Sequence, residues 1–188
     1  MPKKILKNQS NLFTTAHGVL IDIRGLGVLL IGESGVGKSE NALDLITRGS
    51  RLISDDVVEI RKSDSGRLIG TSPDKIEHLM EIRGLGIINI KDLFGTDHIL
   101  DKKQIDMVIE LTRWDSDTEY DRLGTQEKSY NLMGVDLPYL LIPVRPGRNT
   151  TTILEVAALN QLLKSSDAKS KERILDQLEN VKTTTGIK

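Results

Sequence analysis

The chain has 188 residues with 26 Lys and Arg against 27 Asp and Glu, enough for one domain with its own core and no basis for a general electrostatic grip on nucleic acid. Aromatic residues are 3% of the total, too few for a base-stacking platform. Cysteine is absent, which excludes disulfides and thiolate metal sites and agrees with a reducing cytoplasm; no apolar run approaches the roughly 18 residues of a membrane span, so a soluble protein is expected.

Residues 1–14 are polar and patternless apart from Leu12 and Phe13 and read as a linker or arm. From His17 to Ile23, and again from Val28 to Ile31, apolar runs flank Arg24-Gly-Leu-Gly27, which predicts two strands joined by a tight turn. The second run feeds Gly32-Glu-Ser-Gly-Val-Gly-Lys-Ser39, the pattern G-x-x-x-x-G-K-[ST] in its required context of strand before and helix after. Gly32, Glu33, Ser34, Gly35, Val36, Gly37, Lys38 and Ser39 are therefore the candidate phosphate-binding residues. Glycines let the backbone amides wrap an anion, and the helix opening after them adds its unsatisfied N–H groups. Lys38 is expected to reach the β/γ-phosphates and Ser39 to sit on Mg²⁺.

The helix continues over 41–48 and stops at Gly49. Residues 51–61 read as a single strand with Asp55 and Asp56 in its middle, then a turn over 62–66 and a return strand over 67–70. A short helix is predicted from Asp74 to about Glu81, strands over 104–111 and 138–144, a polar loop over 112–124, and a helix over 151–163. An amphipathic helix is predicted over 171–181. The acid pair can fall beside the phosphate loop at the carboxyl ends of the strands, where one carboxylate could hold Mg²⁺ through water and the other take a proton from an attacking hydroxyl. The spelling D-x-x-G occurs at 121–124 but N-K-x-D does not, leaving guanine specificity unsupported. His17, His78 and His98 lack zinc-ligand spacing.

GESGVGKSE at 32–40, RLISDD at 51–56 and EIRGLGIINIKDLFG at 81–95, with HGVLIDIRGLGVLLIG, DRLG and PVRPGRN, resemble the catalytic domain of the HPr kinase/phosphorylase family. The resemblance covers about residues 15–165, with 166–188 as a C-terminal helix and tail. It implies an α/β fold with a mixed central sheet around a P-loop strand-turn-helix, similar to phosphoenolpyruvate carboxykinase. It further implies a cytoplasmic Mg²⁺-dependent enzyme that phosphorylates a serine of the phosphocarrier protein HPr with ATP or pyrophosphate and removes the phosphate by phosphorolysis. On this chain Ser39 and Glu81 would hold Mg²⁺, and Asp56, assisted by Asp55, would carry the proton. His17, Lys38 and Arg122 fall on catalytic positions. Arg83, in the segment serving both directions, and Arg145 and Arg148, in the loop that matters chiefly for dephosphorylation, would meet phosphate. A homo-hexamer is implied, with the C-terminal helix touching substrate bound to a neighbour.

Two features depart from the family pattern. Its bacterial members usually carry a further N-terminal domain, and here only a short arm precedes His17, as in a truncated or naturally short relative. Ser50 stands where histidine is expected. A kinase acting on a different protein or small-molecule hydroxyl is the alternative expectation; a regulatory module that binds nucleotide without turnover fits Asp55, Asp56, Glu81 and Arg122 less well.

Overall fold

The computed structural model describes residues 13–116 and 128–165. In chain order it contains β1 (Phe13–His17), β2 (Val19–Ile23), β3 (Leu26–Gly32), α1 (Lys38–Thr47), β4 (Arg51–Ser54), β5 (Val57–Lys62), β6 (Leu68–Thr71), β7 (Leu79–Ile82), β8 (Gly86–Asn89), α2 (Ile90–Phe94), β9 (Lys102–Gln104), β10 (Met107–Arg113), β11 (Lys128–Leu132), β12 (Val135–Val144) and α3 (Thr150–Ser165). The mixed α/β fold expected from the sequence is present. Six strands form the central sheet in the order β11-β12-β10-β3-β2-β4. β3, β10 and β12 run parallel, while β2, β4 and β11 are antiparallel to their neighbours.

This sheet is buried on both faces, which is why its inner strands read as continuous apolar runs. Val19, Ile21 and Ile23 of β2, Val28 and Leu30 of β3, and Met107, Ile109 and Leu111 of β10 face Ala42, Leu45 and Ile46 of α1 and Leu154 and Ala158 of α3. The intervening Leu20, Leu29 and Val108 turn the other way, onto Val58, Ile60 and Leu68. Those last residues belong to a second, antiparallel sheet of order β1-β5-β6-β9. Each fully buried leucine or isoleucine in these layers contributes about 1.5–3 kcal/mol, enough to fix the register of strands whose slippage by one residue would exchange the two faces. The buried Asp22 of β2 is compensated by Lys103 at 2.6 Å, Arg51 at 3.2 Å and the Gly25 amide at 2.9 Å.

Several elements differ from the sequence expectation. Phe13 and Thr14, read as arm, pair with Arg61 and Ile60 in the second sheet. Residues 51–61 are not one strand: β4 lies in the central sheet and β5 in the second, and Asp55-Asp56 form the corner between them. The helix expected over 74–81 is only a 3₁₀ turn at Asp74–Ile76; Glu81 lies in β7, which forms a hairpin with β8. The amphipathic helix expected over 171–181 lies outside the described residues. Among the described residues no helix is long and apolar enough to cross a membrane.

Candidate active site

β3 ends at Gly32, and the chain passes through residues 33–37 into α1. A Cβ on Gly32 would lie 2.2 Å from the Leu111 carbonyl oxygen, so the adjoining strand leaves room for glycine alone. Gly35 adopts φ +76, in the left-handed region that side chains disfavour. Val36 turns inward and is buried in the core, anchoring the loop. The Lys38 side chain folds back over it, its Nζ donating to the carbonyls of Gly32 at 2.8 Å and Glu33 at 3.0 Å. An ammonium has three donors, so one remains for a ligand. Burial lowers the Lys38 pKa, against the opposing charges of Asp55, Asp56 and Glu40.

The corner between β4 and β5 sends the two acids to different environments. Val57 N–H closes a three-residue turn on the Asp55 carbonyl at 2.9 Å, with Asp56 between them at φ +68. Asp55 is 4% exposed. Its Oδ1 accepts from the Ser39 hydroxyl at 2.8 Å and its Oδ2 from the Glu81 amide at 3.1 Å. Burial raises the Asp55 pKa and the neighbouring Asp56 charge adds to this, while the bonds from Ser39 and from the Glu81 and Asp56 amides oppose it. The Asp56 side chain is 65% exposed and sits 3.1 Å from Nδ1 of His17. Its backbone is held by the Gly18 amide, which donates to the Asp56 carbonyl at 2.9 Å, so the corner fixes the chain while leaving the carboxylate accessible. A non-glycine residue at positive φ stores strain of order 1–3 kcal/mol.

These groups face one cleft of about 130 Å³, lined by His17, Ser34, Gly35, Gly37, Lys38, Ser39, Glu40, Asp55, Asp56, Glu81 and Arg83. Arg83, in the β7–β8 turn, lays its guanidinium against Gly35: a Cβ there would be 3.0 Å from Nη2. Ser39, Asp55 and Glu81 offer only oxygen, the donor set of a hard divalent cation. The sequence reading missed Glu40, although it directly follows Ser39. Arg145 and Arg148 do not line the cleft. The Arg145 guanidinium stacks 5.1 Å from the Trp114 ring centroid, and Arg148 Nη1 donates to the Pro143 carbonyl at 3.2 Å. Their loop nevertheless follows β12 at the sheet end where residues 33–37 follow β3, because the strands are parallel. Arg122 lies outside the described residues.

Fold and cleft define a mixed α/β domain that gathers a lysine and acids over a glycine-rich strand-loop-helix. The family model described as "HPr Serine kinase C-terminal domain" matches residues 9–178. The chain is 52% identical over 180 residues to the HPr kinase/phosphorylase of Geobacter sulfurreducens, covering 94% of this chain and 56% of that protein. It is 53% identical over 169 residues to HPr kinase/phosphorylase 1 of Oceanobacillus iheyensis, covering 90% and 54%. The solved structure of the Hpr(Ser) kinase/phosphatase from Coxiella burnetii superposes with a TM-score of 0.75 at 33% identity, covering 80% of this chain and 92% of that one. The chain belongs to the HPr serine kinase C-terminal domain family, and it spans about half the length of the curated relatives it matches.

Proposed function

We propose that this chain is the catalytic part of a serine protein kinase/phosphorylase that phosphorylates HPr with ATP or pyrophosphate and dephosphorylates it by phosphorolysis. The observation that carries this reading is the division of labour at the β4–β5 corner: Asp55 is buried against Ser39, and Asp56 is open to the cleft beside His17. A kinase of this kind needs one acid at the cation and another at the attacking hydroxyl.

The donor's phosphates would lie along the amides of residues 33–39, with the remaining Lys38 donor on the bridging and terminal oxygens. Ser39, Asp55 and Glu81 would hold Mg²⁺, which when bound neutralises charge on the donor's phosphate oxygens. Asp56 accepts the proton of the serine hydroxyl as its oxygen attacks the terminal phosphorus, and the bond to the departing diphosphate or phosphate breaks. His17 holds the Asp56 carboxylate in place. Arg83, lying across Gly35, offers its guanidinium to the equatorial oxygens of the group in flight. In the reverse direction inorganic phosphate attacks phosphoserine, the serine P–O bond breaks, Asp56 returns a proton to the serine oxygen, and the P–O–P bond of pyrophosphate forms.

Arg122, with Arg145 and Arg148, belongs to this proposal as a phosphate-facing group acting chiefly in dephosphorylation for the latter two. So do a fold relationship to phosphoenolpyruvate carboxykinase, a cytoplasmic location and a homo-hexamer; a mass measurement returning a monomer would remove the last. The deciding experiment is incubation with ATP, Mg²⁺ and HPr followed by addition of phosphate. Phosphoserine that appears, and then reverts to serine as its phosphoryl group passes to the added phosphate to give pyrophosphate, supports the reading. ATP turnover with HPr inert would instead assign a different hydroxyl substrate, and binding without turnover would reduce the chain to a nucleotide-binding module.

A further inference from the structure

Gly37 caps the N-terminus of α1, and no side chain caps that end from before the helix. Its carbonyl instead accepts two bonds from one residue a turn later, from the Asn41 backbone amide at 3.0 Å and from Asn41 Nδ2 at 2.7 Å. The Asn41 side chain therefore locks the last peptide of the loop 33–37. Its own orientation is set from another element, because Asn41 Oδ1 accepts from the Thr151 hydroxyl at 3.1 Å. Thr151 is 5% exposed and lies in the first turn of α3, far in sequence from the loop.

The stretch before Thr151 is tied down as well. Arg148 N–H donates to the Arg145 carbonyl at 3.2 Å, Thr150 N–H to the Arg148 carbonyl at 2.9 Å, and Thr152 N–H to Asn149 Oδ1 at 3.0 Å. Hydrogen bonds from Gly37 through Asn41 thus tie the loop after β3 to Thr151 in the first turn of α3, whose chain neighbours Thr150 and Thr152 are in turn bonded to the loop after β12.

We propose that Asn41 is a positioning residue for the anion cradle, aiming the loop amides through the Gly37 carbonyl, and that Thr151 holds Asn41 in its working orientation. This rests on the reading of residues 32–39 as a phosphate-binding loop. Neither side chain needs to touch the anion: Asn41 acts through Gly37, and Thr151 through Asn41. A neutral hydrogen bond of this kind shifts affinity by about fivefold when its energy is expressed only in the bound arrangement.

The test is calorimetric titration of the 188-residue chain with pyrophosphate and Mg²⁺, alongside thermal unfolding. Asn41→Ala is expected to weaken pyrophosphate about five- to tenfold. Thr151→Val, which keeps the shape and removes the hydroxyl, is expected to weaken it about threefold, and Thr151→Ser to restore it. The double variant Asn41→Ala/Thr151→Val should bind no worse than Asn41→Ala alone, because both act on one path. Wild-type affinity in Thr151→Val, failure of serine to rescue, or effects that multiply in the double variant would each overturn the proposal. A wild-type chain that binds no pyrophosphate overturns it together with the functional reading, whereas pyrophosphate binding without any phosphoryl transfer to HPr overturns the functional reading alone.

Discussion

Replacing Asp55 by asparagine separates the cost of burying this carboxylate from its use. Its Oδ1 accepts from the Ser39 hydroxyl and its Oδ2 from the Glu81 amide, and the Asp56 amide adds a weaker contribution. Asparagine can still accept from the Glu81 N–H with its carbonyl oxygen and turn its amide towards Ser39, whose hydroxyl is able to accept. Two charge-assisted bonds then become neutral ones, a loss of about 1 kcal/mol each, and the attraction to Lys38 disappears. Against this stands the burial penalty of the anion, which is the largest influence on Asp55 and raises its pKa despite those bonds. The opposing effects leave Asp55→Asn within about 2 kcal/mol of the wild type at neutral pH. The pH dependence is sharper. A carboxyl whose folded pKa is raised contributes stability that is fully present below its unfolded value, about 3.9, and is lost as pH rises through the folded value. Stability of Asp55→Asn relative to wild type should therefore increase over that window. Urea unfolding across pH 3.5–7 measures it, keeping ordinary denaturant behaviour, and Mg²⁺-dependent nucleotide affinity, measured in parallel by calorimetry, should fall at least tenfold. A relative stability that declines with pH, or unchanged Mg²⁺ dependence, would refute the assignment of Asp55 as a buried acid held ready for the cation.

Gly35→Ala forces a side chain into φ +76 and brings Cβ to 3.0 Å from Arg83 Nη2; a stability loss of about 1–2 kcal/mol is expected by denaturant unfolding, with pyrophosphate affinity reduced in calorimetry. Leu154→Ala empties a fully buried position between α3 and the central sheet and should cost about 2–5 kcal/mol of unfolding free energy. Asp106 is also raised by burial, against bonds from the Gly27 amide and Gln104 and the charge of Lys103. Its stability contribution should accordingly diminish as pH rises above the ordinary carboxyl range, so unfolding of Asp106→Asn should again gain on the wild type in the same pH window.

The inner strand Val28 to Ile31 was legible in the sequence because burial on both faces writes an uninterrupted apolar run, whereas residues 104–111, read as one alternating strand, divide between β9, which ends at Gln104, and β10, which starts at Met107. The loop 32–39 was legible because glycine spacing and Lys38 have a stated chemical purpose. The corner at Asp55-Asp56 was not: Leu52 and Ile53 before it and Val57 and Val58 after it read as one strand, and periodicity cannot register that the chain changes sheets. β1 and β11 are largely exposed, so no alternating apolar pattern marked them, although the β11–β12 turn carries a signal at Met133-Gly134, where both residues take positive φ as a tight hairpin requires. The spacing of Ile76, Leu79 and Met80 imitates a helix, but Met80 is buried from a strand. Of the cleft, the sequence brought forward His17, Lys38, Ser39, Asp55, Asp56, Glu81 and Arg83, which the fold gathers. It could not show which acid was buried, since that follows from the turn geometry and not from the dipeptide.

The most direct measurement is made on Asp56→Asn, followed in both directions with HPr and phosphorylated HPr. Asp56 is exposed at the corner beside His17, so the variant should fold and bind pyrophosphate as the wild type does. Loss of phosphorylation and of phosphorolysis together, with pyrophosphate binding intact, is the expected result. Both activities persisting near wild-type rates would contradict the assignment of Asp56 as the group that carries the proton.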